Sequence, residues 1–315
     1  FKACLYHVKV RRCSILLHTI MKITSSLLLL LLIPILTLGQ CVLGDCENGY
    51  GVFKESNDDI YSGEWKDGMK MGFGYLEINE GGYYFGQFND NKREGFAYFI
   101  SPSRNAYFGE MKENRKSGYC YYEYPNNIGF YRGEFLNDVR HGIGLYADVS
   151  GEKERYHFGD WIDDEPQKKA KKGKKKLLQG CLAGNCRKSK GLYISDRILL
   201  GTFTKGIMNG KGLLTTGTDV GIGKFKDSKF NGEGLYIWGA TQEFYLGEFI
   251  DGRQQDGHSM VRKIDGEIFI GAMLDGNEKN GKGLSIVQNK NKPNEYFIGT
   301  WKNGKVIEVE SYIFK

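Results

Sequence analysis

The sequence lacks the motifs that mark the common catalytic sites. No Gly-Lys-Ser/Thr loop for a phosphate group is present, and no Ser-His-Asp or His-Cys arrangement stands out. Histidine is scarce, with 5 in 315 residues, and those beyond residue 40 are His141, His157 and His258. Each of these three falls within a repeated segment that accounts for its position. We therefore expect no enzymatic activity, no cofactor and no metal ion.

Long hydrophobic runs are also scarce. The longest, Leu27 to Leu38, has 12 residues, short of the roughly 20 that span a bilayer as a helix. It follows Met21 and Lys22 and precedes Gly39, a pattern typical of a secretory signal peptide cleaved after Gly39. We predict that residues 1–39 are an upstream extension plus signal peptide, with translation starting at Met21. The protein is thus predicted to be exported, and to be secreted, periplasmic or associated with the cell envelope. An uncleaved anchor is the alternative to a cleaved signal peptide.

Glycine and aromatic residues are abundant instead, and they recur in one phrase. An aromatic or apolar residue, any residue and then glycine occur ten times, at intervals of 22 to 28 residues within each of two sets. Such a period indicates a repeat architecture. The anchor glycines are Gly63, Gly86, Gly109, Gly133, Gly159, Gly201, Gly223, Gly247, Gly271 and Gly299.

Three further slots of the repeat are constrained. A large apolar residue always stands two positions after the anchor glycine, as at Trp65 and Phe88. Glycine stands nine or ten positions after it, and a small residue stands two further on. The glycine slot holds Gly72, Gly95, Gly118, Gly142, Gly210, Gly232, Gly257 and Gly281. The small slot holds Gly74, Ala97, Cys120, Gly144, Gly212, Gly234, Ser259 and Gly283.

The occupants of the small slot show that it requires space. Ala, Cys and Ser are poor residues for a positive φ angle, yet they occur there beside glycine. Residues two apart on a strand share a face, so the large rings of one strand are predicted to lie over the small residues of the next. The slot that is always glycine predicts a β-bulge at the exit of a hairpin.

Each unit is therefore predicted to be one β-hairpin. Segments such as KDGMKM and TKGIMN are polar and indicate the turns. The predicted fold is all-β: a solenoid of hairpins in two tandem arrays, stabilised mainly by contacts between neighbouring units. The last strand, at 306–314, is predicted to cap the second array, because an uncovered edge invites an edge-to-edge homodimer. The acidic residues after the anchor glycine, Glu64, Glu110, Glu134 and Glu248, are predicted to face the opposite side of the sheet, towards solvent.

The segment YSGEWKDGMKMGFGYLE at 61–77 resembles the MORN repeat, whose pattern is roughly YxGxWxxGxxxGxGxxxx over about 23 residues. The resemblance covers roughly residues 46 to 305. It implies an elongated single-layer antiparallel β-hairpin solenoid, curved into a groove. Members of the family mostly act as scaffolds or membrane-associated adaptors, and some are joined to a lipid kinase or a methyltransferase. Choline- and glucan-binding repeats are a rival, but they carry a GW pair that never occurs here.

The predicted groove is aromatic and would face a partner. Its lining is predicted to be Tyr61, Trp65, Tyr84, Phe88, Tyr107, Tyr131, Phe135, Trp161, Phe203, Phe225, Tyr245, Phe249, Phe269 and Trp301.

The cysteines form a motif that occurs twice. CVLGDC at 41–46 is echoed by CLAGNC at 181–186, so the motif belongs to the fold and does not mark a lipidated N-terminus. In an exported protein such pairs are predicted to close local disulfides, Cys41 with Cys46 and Cys181 with Cys186. Zinc binding by the two pairs together is the alternative. Cys120 fills a small slot and is predicted to be a buried free thiol.

The repeated cysteine motif divides the mature chain into two arrays, at 40–165 and 181–315, joined by a linker at 166–180. The first array carries a net charge of −10, the linker +7 and residues 177–315 +4. The linker is rich in lysine and is predicted to be solvated. Its lysines could contact an anionic lipid surface or another polyanion. Alternatively, the linker could be a spacer whose positive charge balances the negative charge of the first array. They are Lys168, Lys169, Lys171, Lys172, Lys174, Lys175 and Lys176.

Two hypotheses for function follow from these features. The first is a non-catalytic scaffold that binds a protein partner at the cell envelope or outside the cell. The second is a module that binds anionic lipid or glycan through the linker and the aromatic groove. A nucleic-acid partner is not expected, since the first array is acidic and the chain is predicted to be exported.

Overall fold

The computed structural model describes residues 39–152, 154–167, 171–172, 179–274, 278–289 and 292–313. The predicted signal peptide, apart from Gly39, lies outside the described residues, as do Lys168, Lys169 and Lys174 to Lys176. Residues Gly39–Lys315 form one compact unit. The described residues are almost entirely β-strands in two open antiparallel sheets of consecutive hairpins, which confirms the predicted fold class. The described chain has no helix with the length and apolar character needed to cross a membrane.

Sheet 1 is formed by the first array, with its strands paired in chain order. Its strands are β1 (Gln40–Gly44), β2 (Gly49–Lys54), β3 (Ile60–Lys66), β4 (Met69–Glu77), β5 (Tyr83–Asn89), β6 (Lys92–Ile100), β7 (Ala106–Lys112), β8 (Arg115–Glu123), β9 (Gly129–Leu136), β10 (Val139–Asp148), β11 (Arg155–Ile162), β12 (Glu165–Pro166) and β13 (Lys171–Lys172). A 3-10 turn, Pro125–Asn127, precedes β9. Both β12 and β13 pair with β11, so the pairing of sheet 1 extends into the linker.

Sheet 2 repeats the arrangement with the second array. Its strands are β14 (Gly180–Gly184), β15 (Lys190–Ile194), β16 (Arg197–Thr204), β17 (Ile207–Thr216), β18 (Asp219–Lys226), β19 (Lys229–Trp238), β20 (Glu243–Ile250), β21 (Arg253–Gln254), β22 (Gly257–Arg262), β23 (Glu267–Leu274), β24 (Glu278–Val287), β25 (Glu295–Lys302) and β26 (Lys305–Ile313). The short β21 pairs with β20, which also pairs with β22.

The hairpin turns are short and have a shared geometry. Asp67 and Gly68 have φ angles of 51° and 70°, and Asp90 and Asn91 have 47° and 65°. Positive φ at both central residues is the type I′ geometry, which matches the twist of the flanking strands and favours Asn, Asp and Gly. Successive turns are also linked, because Lys70 N donates to the Asn91 side chain at 2.9 Å. The predicted polar turns are confirmed.

A row of small residues runs across each sheet at right angles to the strands. Gly63 pairs with Gly74, Gly74 with Gly86, and Gly86 with Ala97. The row continues through Gly109, Cys120, Gly133, Gly144 and Gly159. Sheet 2 carries a matching row that begins with Gly191, Gly201, Gly212, Gly223 and Gly234.

Aromatic rings fill the hollow above this row. A Cβ atom built on Gly74 would lie 2.5 Å from Cε2 of Tyr61, and one on Gly63 would lie 2.6 Å from the Tyr61 hydroxyl. The Tyr61 ring meets Trp65 of its own strand and Phe88 of the next hairpin edge-on, with centroids 5.2 and 5.0 Å apart. Edge-to-face geometry of this kind is favourable for aromatic pairs. The small slot therefore supplies space, as predicted.

The slot that is always glycine is a bulge with positive φ. Gly72, Gly95 and Gly118 have φ angles of 58°, 65° and 62°, and the pairing register shifts beside them. In this left-handed region a side chain is strained, so glycine is required. The predicted bulge is confirmed.

The two sheets pack face to face, an arrangement that the sequence did not predict. The strand orders run in opposite directions: β1 lies near β26, β7 near β18, and β11 near β14. One continuous core fills the space between them and includes Phe85 and Phe108 of sheet 1 and Leu213, Phe244 and Leu246 of sheet 2. Each array is one layer, as expected, but each buries both of its faces.

The prediction that the acidic residues beside the anchor glycines face solvent is wrong for three of them. Glu64, Glu110 and Glu134 point away from the rings, as expected, but the second sheet covers that side. Their carboxylates accept hydrogen bonds from the backbone N–H that follows each bulge, at 2.5 Å for Phe73 in the case of Glu64. Glu248 lies at the exposed position that was predicted.

The last described strand, β26, pairs with β25 over its whole length, from Lys305 opposite Lys302 to Ile313 opposite Glu295. It covers the edge of β25 as predicted for 306–314. Val306 and Ile307 on this strand are exposed.

Candidate functional site

The predicted aromatic groove does not exist as an open surface. All fourteen predicted lining residues are buried, the most exposed being Trp65 at 8 %. Those of sheet 1 and those of sheet 2 form separate clusters on the outer faces of the two sheets. The rings are buried because each one fills a hollow above the row of small residues. These rings therefore stabilise the sheets and do not present a groove to a ligand.

The tyrosine hydroxyls of this ring cluster have a structural partner. Tyr61, Tyr84 and Tyr131 donate to the carbonyl oxygens three residues further on, at 3.1, 2.9 and 3.1 Å. Burial raises the pKa of the Tyr61 hydroxyl well above its usual value, with the Glu64 carboxylate adding to the effect. The hydroxyl therefore remains a proton donor, and the repeat uses tyrosine to satisfy a carbonyl next to the bulge.

Basic side chains lie over several of these rings. Lys70 Nζ lies 5.0 Å from the centre of the Tyr61 ring, and Arg93 Cζ lies 5.5 Å from that of Tyr84. Arg140 Cζ lies 4.5 Å from the Trp161 ring and Arg140 also pairs with Asp164 at 2.9 Å. Such cation–π contacts cover the outer face of sheet 1 with alkyl chains and charge.

One pair of cysteines lies at the start of each sheet. Cys41 is disulfide-bonded to Cys46, and Cys181 to Cys186. The sulfur of Cys46 covers Gly51, and a Cβ atom at that glycine would lie 2.7 Å from it. Cys186 covers Gly191 in the same way, at 2.8 Å. Each disulfide thus fills the hollow that a ring fills in later units.

The remaining thiol agrees with its predicted role. Cys120 is buried and unbonded to another cysteine, and burial raises the pKa of its thiol well above the usual value. It lies directly opposite Gly109 and Gly133 in the small row. No group of His, Cys, Asp and Glu that could hold a metal ion occurs among the residues that the structure describes.

The three histidines have separate surroundings. His258 Nε2 lies 2.8 Å from Glu64 Oε1 on the other sheet. His141 Nδ1 lies 3.7 Å from the Asp163 carboxylate, and His157 lies in the ring cluster of sheet 1, with its centroid 6.2 Å from that of Trp161.

A row of polar pairs joins the two sheets near their turns. Glu134 pairs with Lys190 at 2.5 Å, Glu110 with Lys211, and Gln87 with Glu233. The His258–Glu64 pair belongs to the same row. In three of these pairs sheet 1 contributes the acidic residue and sheet 2 the base, which matches the charge asymmetry of the two arrays. In the fourth pair the Gln87 amide of sheet 1 donates to the Glu233 carboxylate of sheet 2.

Two cavities lie between the sheets away from this row. One, of about 700 Å³, is bordered by Glu77 and Asn79 of sheet 1 and its loops and by Arg262 and Gln288 of sheet 2 and its loops. The other, of about 480 Å³, is lined by Tyr98, Phe108, Tyr121 and Arg132 of sheet 1 and by Thr215 and Val220 of sheet 2.

Arg132 was not predicted from the sequence, although a signal was present. Arg132 stands between the aromatic residue and the anchor glycine, a slot that faces the other sheet. The ten occupants of this slot are Ser62, Phe85, Phe108, Arg132, Phe158, Leu200, Ile222, Leu246, Ile270 and Ile298. Arg132 is the charged residue among them, and it is 8 % exposed.

The lysine-rich linker is described only in part. The backbone of Lys171 and Lys172 forms β13, opposite Tyr156 and Arg155. The contact of its lysines with an anionic surface remains a prediction.

Comparison with known families agrees with the repeat. Six segments match the model of the MORN repeat, at residues 61–83, 84–105, 107–128, 131–153, 200–218 and 222–240. This is a MORN-repeat protein. A comparison of the whole chain with curated proteins found no match. The units anchored at Gly159, Gly247, Gly271 and Gly299 lie outside the six matches, yet their anchor glycines continue the small rows. MORN repeats generally mediate interactions with proteins or membrane lipids.

Proposed function

We propose that this MORN-repeat chain is a non-catalytic scaffold that binds a protein partner at the cell envelope or outside the cell. The observation that carries the proposal is the packing of both faces of each sheet. The recurrent aromatic, glycine and acidic residues are engaged in the fold, and what is left for a partner is an extended surface of turns and strand edges. Such a surface suits a protein better than a small substrate.

Two local disulfides support the proposed location. Disulfides persist in oxidising compartments and are rare in the cytosol. The location is tested by expressing the chain from Met21 in its native cell type and isolating the product. Export predicts a mature N-terminus at Gln40 and complete oxidation of the Cys41–Cys46 and Cys181–Cys186 pairs, both read by mass spectrometry. A retained signal segment with reduced thiols would contradict it.

The scaffold proposal is tested with the mature chain as bait on the native envelope or extracellular fraction. The matched control is a Gly74→Leu variant, which we expect to lose the fold while keeping almost the same composition. A protein retained by the native bait and not by the control, and then shown to bind the purified chain at a fixed stoichiometry, supports the proposal. If the two baits retain the same proteins, the scaffold proposal fails.

The alternative is a module that binds anionic lipid or glycan, and the lysine-rich linker favours it. Vesicles that contain phosphatidylserine should then retain the chain at low salt and release it at high salt, since each lysine near the surface contributes about 1 kcal/mol. Replacement of the seven linker lysines by glutamine should abolish retention. Equal retention of the native and substituted chains, or none at any salt concentration, removes the lipid alternative.

A further inference from the structure

The smaller cavity between the sheets contains an unusual buried charge. Arg132 is 8 % exposed and forms no salt bridge among the described residues, and its Nε has no hydrogen-bond partner there. Its guanidinium stacks on two rings, with Cζ 4.4 Å from the centre of Phe130 and 5.0 Å from that of Tyr121. A buried cation without a salt bridge costs stability, so its presence calls for an explanation.

The fold itself does not require an arginine at this position. The equivalent slot in sheet 2 holds Leu200, Ile222, Leu246, Ile270 and Ile298, which pack into the same core between the sheets. An aliphatic residue is therefore sufficient for packing at this position. Stacking on two rings and a hydrogen bond to the Tyr121 hydroxyl hold the guanidinium in place, and the Glu123 carboxylate acts on it from beyond salt-bridge distance. No carboxylate of the described residues pairs with it directly.

The surroundings of Arg132 show what kind of group would pair with it directly. Phe108, Tyr98 and Val220 give the cavity apolar walls, and its volume of about 480 Å³ is within the range of ligand sites. A guanidinium binds a carboxylate through two parallel N–H donors. The cavity thus combines a cationic anchor with apolar space beside it.

Two carboxylates border the same cavity and limit the charge of an occupant. Asp219 is engaged, because it accepts from the Tyr236 hydroxyl at 3.0 Å and from Gly239 N at 3.1 Å. Glu123, on the strand paired with that of Arg132, adds a negative charge near the guanidinium. These groups would repel a second negative charge on a ligand.

We propose that the cavity around Arg132 binds a monocarboxylate with an apolar body. Its carboxylate pairs with the Arg132 guanidinium, and its hydrocarbon lies between Phe108 and Tyr98 of sheet 1 and Val220 of sheet 2. The two-sheet packing of the arrays creates the site, since residues of both sheets line it.

The test is calorimetric titration of the mature chain with octanoate, and with 1-octanol as a probe of the same length without charge. We expect saturable binding of octanoate at one site per chain and binding of octanol at least about tenfold weaker, because a hydrogen-bonded charge is lost. Octyl phosphate, with its second negative charge, should also bind more weakly than octanoate. No saturable binding of octanoate, or tighter binding of either other probe, overturns the proposal.

Variants assign the binding to this cavity. Arg132→Leu introduces the residue that sheet 2 has at the equivalent position, Leu200. It should weaken octanoate binding at least about tenfold while leaving octanol binding unchanged. Arg93→Leu removes the same charge from the opposite face of sheet 1, over Tyr84 and Phe99, and should bind octanoate as the native chain does. Native affinity in a folded Arg132→Leu variant, or an equal loss in Arg93→Leu, overturns the assignment.

A second variant keeps the test decisive if Arg132→Leu does not fold. Thr215 lines the cavity from sheet 2 and is 4 % exposed. Thr215→Phe should fill the space and abolish binding of octanoate and octanol alike, while the circular dichroism of the sheets is retained. Unchanged octanoate binding by this variant places the ligand elsewhere and contradicts the proposal.

Discussion

At the scale of single residues, the repeat works by pairing each hollow with a side chain that fills it. Where the repeat supplies no ring, another side chain takes its place. Gly221 stands in an aromatic slot, and the Phe230 ring from the next strand covers it together with Gly223 and Gly234. Met208 does the same above Gly201. The rule is complementary volume, so a lost ring on one strand is compensated by a neighbour on another.

A side chain at Gly144 should destabilise the chain. A Cβ atom there would lie 2.6 Å from Cζ of Tyr131, so the Gly144→Ala variant should lose about 1–3 kcal/mol of unfolding free energy and Gly144→Leu should not fold. Urea unfolding measures the change. Gly151→Ala, at an exposed glycine with no atom close to an added Cβ, is the control. An unchanged midpoint for Gly144→Ala would contradict the account of the hollow.

The Glu134 carboxylate should stabilise the fold mainly as a hydrogen-bond acceptor and less through its negative charge. It accepts from Ile143 N at 3.2 Å and pairs with Lys190 at 2.5 Å. Glu134→Leu should cost about 1–3 kcal/mol, because the buried N–H loses its partner. Glu134→Gln should cost far less, since Gln87 performs the same role for Phe96 N at 2.8 Å.

The matched control is Glu248→Leu, which removes the exposed acidic residue from the same slot of sheet 2. Denaturation by urea should leave its midpoint almost unchanged. Equal losses for the glutamine and leucine variants at position 134 would show that charge, and not the hydrogen bond, stabilises the bulge.

At the scale of elements, each sheet begins with a disulfide and continues through hairpins that depend on their neighbours. Cys186 covers Gly191 at the start of sheet 2, where no earlier hairpin supplies a ring. Repeat arrays need special ends, because a terminal unit has a neighbour on one side alone. This explains why the C-x4-C motif occurs twice in the chain, each time in the first hairpin of an array.

Removal of the second disulfide should destabilise the first strands of sheet 2. The Cys181→Ala, Cys186→Ala variant is expected to lose about 2 kcal/mol, the loop-closure contribution for so short a loop. Amide hydrogen exchange should become faster in β14 and β15 and remain unchanged in β23 and β24, since stability is local in repeat arrays. Acceleration spread evenly over both sheets, or none, would contradict the capping role.

At the scale of the whole molecule, the two sheets are one unit that buries aromatic hydroxyls on several strands. Burial raises the pKa of Tyr61, Tyr84 and Tyr107 far above their usual value of 10.0. In the unfolded chain these hydroxyls ionise near pH 10, whereas in the folded chain they stay protonated. The stability that they contribute is therefore complete below pH 10 and is lost as the pH rises above it.

Alkaline unfolding should follow from this difference. Each buried tyrosine should lower the unfolding free energy by roughly 1.4 kcal/mol per pH unit above pH 10. Tyrosinate absorbance and the loss of β-sheet circular dichroism should then rise together in one transition. Ionisation of all 20 tyrosines near pH 10 without loss of the β signal would contradict the packing described for them.

The sequence predicted the hairpin unit well and the assembly of the arrays poorly. Period, turns, bulges and the ring-over-glycine contact were readable because several copies could be compared within one chain. The packing of the sheets was not, although Phe85 and Phe108 alternate with the ring residues and make both faces of their strands apolar, a sign of burial on both sides. Arg132 was overlooked for the same reason, since its slot was not recognised as facing a second sheet.

The central claim is that the two arrays pack face to face in one unit, and small-angle X-ray scattering of residues 39–315 tests it most directly. Twelve strands about 4.8 Å apart span roughly 55 Å, so two stacked sheets should give a maximum dimension not far above that value. Two sheets placed end to end would extend to roughly 110 Å. A maximum dimension near the longer value would show that the arrays do not share a core, and would also remove the cavity around Arg132.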